Sequence, residues 1–222
     1  AVTSSPNTFM GIWKDDGTGL KLLARSGDPA PEAGGAVFDV LPTVPAINDS
    51  GEVTLLATLA LGTGSPATTT ANDIGLWSEL GGTGLQILIR ENDDIPGLPA
   101  GTKVGAFASG AYATAHTGAT TGEAAFAMTM KGASTDTAIL RTSIVGASTT
   151  AVGVVARQNT LAPGTTQNFG SLNGSFTDSM RMDATGNLVF VALLTSPSRE
   201  GIWYQPVGGA VTKVAVAGDS AP

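Results

Sequence analysis

Acidic turns are the first places in this chain with chemistry to offer. Asp15 and Asp16, Asp28, Asp93 and Asp94, and Asp219 fall in short stretches at matching places along the sequence. Oxygen-rich loops hold Ca²⁺ through carboxylates and carbonyls, which makes Asp28, Asp93 and Asp219 the candidate metal ligands. Two features argue for a plainer role. Thr160 replaces the acid in the third copy, and the spacing is not that of an EF-hand loop. Asp and Asn also open turns by bonding nearby backbone. Turn formation is the expected role, and no cofactor is expected apart from this Ca²⁺ option.

Arginines and tryptophans recur as well. Arg25, Arg90 and Arg157 stand at one place in successive copies. A ring of guanidinium groups around a channel would attract anions, whereas a salt bridge or carbonyl contact inside each copy is the expectation. Trp13, Trp77 and Trp203 stand at another fixed place, with Leu140 in the third copy. Leu in that place fits core packing better than sugar stacking. His116 is the single histidine and there is no cysteine, so transition-metal sites and His-dependent triads lose most of their parts. No H-E-x-x-H, G-x-S-x-G or phosphate-cradling glycine loop is present,. Loop carboxylates suited to glycoside hydrolysis exist, but no pair stands out. The chain is therefore not expected to be an enzyme.

The elements that position these residues repeat about every 64 positions. Gly11-Ile12-Trp13 returns as Gly75-Leu76-Trp77, as Ala138-Ile139-Leu140 and as Gly201-Ile202-Trp203. A fixed period of this kind marks a repeat architecture. Each unit reads as four short strands. The Gly-Ile-Trp strand leads through a glycine turn to Leu20 to Arg25 and its counterparts. A Pro-bearing loop follows: Gly27-Asp28-Pro29-Ala30-Pro31, Asn92 to Pro96, Asn159 to Pro163, and Gly218 to Pro222. A third strand runs near Phe38 to Ile47, Phe107 to Ala115 and Phe169 to Met182, with Pro42 and Pro45 making the first copy irregular,. A turn carrying Gly51, Gly122 or Gly186 then opens the fourth strand.

These patterns predict an all-β fold: β-propeller-like, with four-stranded antiparallel repeats, three full and one half. The expected organisation is a single repeat domain over 1–222, with units at about 11–74, 75–137, 138–200 and a half unit at 201–222. The half unit lacks two strands, so its edge predicts completion by another chain. Gly201, Ile202, Trp203, Val214 and Val216 are the expected assembly residues.

Charge and composition narrow the partners. The formal net charge is −7, which disfavours nucleic acid and anionic lipid. No apolar run is long enough for a membrane-spanning helix. The start at Ala1-Val2-Thr3-Ser4-Ser5 reads as a secreted chain after signal cleavage, or as a segment of a longer chain,. Asn48-Asp49-Ser50 and Asn173-Gly174-Ser175 are N-glycosylation patterns, and Thr68-Thr69-Thr70 suits O-linked sugar,.

The unit resembles the bacterial exported tandem-repeat proteins marked by an N-x-x-G-x-x-A-F motif, whose anchors vary between members (choice-of-anchor type). The motif region is Asn48 to Leu55, Ala119 to Phe126 and Asp183 to Phe190, accompanied by the Gly-Ile-Trp and Gly-Asp-x-Ala-Pro signatures. Only the first unit keeps the Asn, and only the second has the Ala125-Phe126 pair. The resemblance implies export and a role at the cell surface, and it brings no catalytic residues. The expected function is an extracellular structural protein, a subunit of a surface assembly or filament, with homo-oligomer or polymer contacts through strand edges. A glycan- or protein-binding propeller module is the alternative, and a propeller hydrolase a third reading.

Overall fold

The computed structural model describes residues 10–41, 45–82, 84–118, 121–132, 136–145, 148–149, 152–172 and 180–220. All regular structure among them is β, in fifteen strands. They form four antiparallel sheets. The first sheet has two strands, β1 (Gly11–Asp15) and β2 (Leu20–Arg25). The second is β3 (Ala46–Ile47), β4 (Val53–Thr58), β5 (Ile74–Ser78) and β6 (Gln86–Arg90), in that order. The third runs β7 (Thr102–Gly118), β8 (Thr121–Gly132), β9 (Thr137–Val145). Its last strand, β9, pairs with both β10 (Ser148–Thr149) and β11 (Gly153–Arg157). The fourth is β12 (Met180–Met182), β13 (Leu188–Leu194), β14 (Arg199–Gln205), β15 (Thr212–Val216).

The sheets do not follow the frame of the sequence repeat. In the second sheet, β3 and β4 come from the first unit and β5 and β6 from the next. The join is the β4–β5 ladder, from Thr54 opposite Ser78 to Thr58 opposite Ile74. The crossing to a new sheet falls inside each unit, on the Pro-bearing loop. The C-terminal half unit is accordingly not half a sheet. Its Gly-Ile-Trp strand, β14, is paired along its length with β13, from Leu188–Gln205 to Leu194–Arg199, and with β15 on its other side. The two-stranded sheet lies at the opposite end of the series, in β1 and β2.

Three apolar cores separate the sheets in chain order. Ile12 and Ala24 of the first sheet pack with Leu55, Ala57 and Trp77 of the second. Leu76 and Leu88 of the second pack with Phe126, Met128 and Leu140 of the third. Ala125 and Ile139 of the third pack with Leu188, Phe190 and Trp203 of the fourth. Each Gly-Ile-Trp strand thus has two apolar faces. Trp77, Leu140 and Trp203 look back to the preceding sheet, and Ile12, Leu76 and Ile139 look forward to the next. This is why both faces of these strands read as apolar, as expected for strands covered on both sides.

A one-residue irregularity sits at the same step in every copy, at Ile12/Trp13, Leu76/Trp77 and Ile202/Trp203. Two residues of the outer strand therefore share the forward face. The third strands are more broken than their sequence suggests. Phe38 makes one isolated bridge, to Leu59, and Phe169 one to Leu194, whereas β7 is continuous from Thr102. Gly27 and Asn159 donate to the carbonyls of Phe38 and Phe169, and Asn92 donates to that of Val104. Val104, not Phe107, is therefore the counterpart of Phe38.

Candidate functional site

The first strands of the three larger sheets come together, with β7 lying against both β3 and β12. Between them opens a cavity of about 130 Å³, lined by the turn Ile47 to Ser50, by Thr114 and Ala115, and by Met182 to Ala184. Its polar rim is built by the N-x-x-G turns. Asn48 Oδ1 accepts from the amides of Ser50 (3.0 Å) and Glu52 (2.9 Å), and Gly51 N–H closes the turn on the Asn48 carbonyl at 2.9 Å. Gly51 sits at φ 75°, in the left-handed region that favours glycine.

The turn in the fourth sheet is the same device with an acid. Asp183 Oδ1 accepts from Thr185 N and Asn187 N, each at 2.9 Å, and Gly186, at φ 86°, closes on the Asp183 carbonyl. Hydrogen bonds from Asn187, Thr185 and their amides hold the Asp183 carboxyl down at about 2,. The third turn glycine, Gly122, pairs with His116 and Ile144, and a side chain there would run into Leu80. The Asn48 amide nitrogen donates to Glu52 Oε2 at 2.8 Å, so the glycosylation pattern at Asn48 is occupied by turn chemistry. Asn173, the other pattern, lies outside the described residues.

A cation clamps each of two neighbouring sheets to this rim. Lys14 Nζ reaches from the first sheet to Glu79 (2.8 Å) and to the Gly51 carbonyl (3.2 Å). Arg141 reaches from the third sheet to the Gly186 carbonyl (2.7 Å) and Gln205 (3.4 Å), while its Nε donates to Glu123 at 2.9 Å. Lys14 and Arg141 each directly follow the Trp-position residue, and Glu79 and Gln205 each lie two after it. The contacts are therefore one contact repeated. Sequence reading missed it because the residue types differ between copies; the offset from Trp13, Trp77 and Trp203 is the signal that finds it.

The recurring arginines brace loops of their own sheets, Arg25 the Pro-bearing loop that follows it, and Arg90 and Arg157 the loop before the Gly-Ile-Trp-type strand. Arg25 donates to Asp28 through Nε (3.2 Å) and Nη2 (2.8 Å). Arg90 donates to the Asn72 carbonyl (2.5 Å) and Thr68 Oγ1 (3.1 Å), and Arg157 to Asp136 (2.9 Å). Thr68 is buried beneath that contact. In the last copy Val216 takes the arginine place, opposite Gly201. The acidic turn positions follow the same local logic. Asp93 Oδ2 accepts from Arg90 N (2.7 Å), and Asp219 Oδ2 from Val216 N (3.1 Å) and Lys213 (2.9 Å). In the third copy the Thr160 hydroxyl instead donates to the Arg157 carbonyl at 2.6 Å. Asp28, Asp93 and Asp219 stand on separate loops. Among the described residues no group of three His, Cys, Asp or Glu side chains is placed to hold a metal.

The tryptophans divide into two kinds. Trp77 and Trp203 are fully buried. Their indole N–H groups donate to the carbonyls of Pro31 (3.0 Å) and Pro163 (3.2 Å). Each ring meets a phenylalanine edge-on, Phe38 at 5.1 Å and Phe169 at 5.0 Å, a favourable aromatic geometry. Trp13 is 53% exposed. Its ring nonetheless lies over Gly11, as Trp77 lies over Gly75 and Trp203 over Gly201. The five expected assembly residues divide likewise. Gly201, Trp203 and Val216 are buried against the third sheet, while Ile202 (39%) and Val214 (58%) are exposed on the opposite face.

The fold and this site define an all-β protein of four antiparallel sheets. The chain belongs to the Family of unknown function (DUF7453), whose profile it matches over residues 1–222. No curated protein and no solved structure gives a significant match to it.

Proposed function

We propose that the chain is a structural repeat module, propeller-like in its arrangement, that serves as a subunit of an extracellular surface assembly. The observation that carries this reading is Trp13. Its counterparts Trp77 and Trp203 are sealed at 0% exposure beneath a neighbouring sheet and its loop, while Trp13 is set in the same pose with half its surface open. Leu22, opposite Trp13 in the β1–β2 ladder, and Leu20 are exposed beside it, and a contiguous uncovered apolar patch of this kind marks an interaction surface. The propeller reading rests on the contact of β7 with both β3 and β12, and the extracellular placement on the low lysine content and the richness in Thr, Ser and Gly. The assembly runs through sheet faces that the fold leaves uncovered, at the first sheet and the last. Light scattering beside electron microscopy of the native material tests it: rings or filaments are expected, and uniform monomers at high concentration would contradict it.

One observation favours a second reading, a glycan-binding module. The cavity at the rim presents Asn48, Asp49 and Asp183 together, and sugar hydroxyls donate well to carboxylates. Saturable binding on a glycan array, lost in Asp49→Ala, would support it.

A further inference from the structure

Resting on the assembly reading, we infer that the occupant of the Trp13 face is a second copy of this chain, docked head to tail through the forward face of its last sheet. The chain displays the template for this joint three times. At every internal joint the forward face of one sheet covers the back face of the next, and the residues at equivalent places are buried.

The forward position is filled by Ile12 (8% exposed), Leu76 (0%), Ile139 (2%) and Ile202 (39%). The back position is filled by Trp13 (53%), Trp77 (0%), Leu140 (0%) and Trp203 (0%). The series is closed everywhere except at Ile202 and at Trp13. Around Trp13 lie Leu20 (76%) and Leu22 (44%), opposite Asp15 and Trp13 in the β1–β2 ladder. Their counterparts Leu85 and Ile87 are packed into the first inter-sheet core. Around Ile202 lie Val189 (38%) and Val214 (58%). Val214 corresponds to Leu23, which packs into the same core as Ile87. On its Gly-Ile-Trp hairpin each uncovered face carries the apolar residues that sit at equivalent places in the joints the chain already makes.

The polar part of the joint is matched too. At two of the three internal joints the residue after the Trp position reaches the residue two past that position on the next sheet, Lys14 to Glu79 and Arg141 to Gln205; at the middle joint Ser78 bonds Thr54 and Leu80 instead. At the open joint these places hold Tyr204 and Asp15, a hydroxyl donor and a carboxylate acceptor. A contact of this kind is heterologous, so it builds a ring where the rotation closes and a filament where it does not.

The absence of cysteine makes the test clean. Leu22→Cys and Val214→Cys are purified separately, mixed and oxidised; both sites are exposed, so neither change disturbs a core. The expected product is the mixed disulfide, at least ten-fold over either homodimer, and lost when Trp13→Asp is added to the Leu22→Cys chain. Homodimers in preference to the mixed species would overturn the head-to-tail joint while leaving assembly itself intact. Monomers in light scattering together with no disulfide of any kind would overturn both.

Discussion

The Trp position explains the residues around it by volume. The indole folds onto its own strand two residues back, where a Cβ would stand 2.6 Å from the ring at Gly75 and 2.5 Å at Gly201. Real Cβ contacts are never so short, so glycine there is a packing requirement and not a turn signal. The third copy confirms the coupling from within. Leu140 is shorter, Ala138 has the methyl that glycine lacks, and Val104 replaces the phenylalanine that meets Trp77 and Trp203. Leu140→Trp is therefore expected to destabilise the fold by about 1–3 kcal/mol through overpacking. Ala138→Gly costs roughly 1 kcal/mol in the wild type and is neutral or stabilising beside Leu140→Trp, a coupling that a urea double-mutant cycle measures. The repeated Gly-x-Trp was legible in sequence; the exposure of one Trp was not, because burial depends on which sheet lies next to it.

At the scale of single turns, Asn48 and Asp183 show that the same bonds are made by an amide or an acid. The Asp183 carboxyl titrates at about 2 in the fold, below the ordinary value of about 3.9 for an unfolded chain. A depressed folded value means its contribution is fully present above about pH 4 and is lost as pH falls from about 4 towards 2. Asp183→Asn, which copies Asn48, is expected to retain the neutral-pH melting temperature and flatten this part of the acid profile. Asp183→Ala is expected to lower the melting temperature at all pH values. Thermal melts from pH 2 to 7 check both.

Among elements, the ladder between the fourth strand of one unit and the first strand of the next decides the frame of the sheets. Strand count and period are visible in the sequence, since apolar alternation and glycine turns report each hairpin. Which hairpins share a sheet is not, because adjacent hairpins give the same pattern in either frame. That is why Gly201 to Pro222 reads as an incomplete unit while β14 and β15 complete a sheet. Third strands are the least legible in sequence, because Pro42 and Pro45 interrupt one copy, and Phe107 matches Phe38 in type where Val104 matches it in place. The clamp of Arg141 on Glu123 and the Gly186 carbonyl joins two such elements, with side-chain exposures of 12% and 10% for the ion pair. Removing one partner leaves a charge largely buried, so Arg141→Ala is expected to cost about 3 kcal/mol, far more than breaking the exposed pair of Arg25 and Asp28. Equilibrium denaturation separates the two.

For the whole molecule, the account makes one asymmetric demand on three equivalent tryptophans. Trp77→Ala is expected to lose about 3–5 kcal/mol of stability, the usual cost of emptying a core of a large aromatic. Trp13→Ala is expected to lose less than about 1 kcal/mol in the monomer, since half its surface is already in water. The proposed assembly would cover Leu20 and Leu22 on one face and Val189, Ile202 and Val214 on the other, all exposed in the single chain. The most direct measurement is light scattering of the purified chain over a wide concentration range, run beside Trp13→Asp. The account predicts concentration-dependent growth in the wild type and a folded monomer in the variant, with the two melting alike at low concentration. Equal assembly by both proteins, or a wild-type chain that stays monomeric throughout, would contradict it.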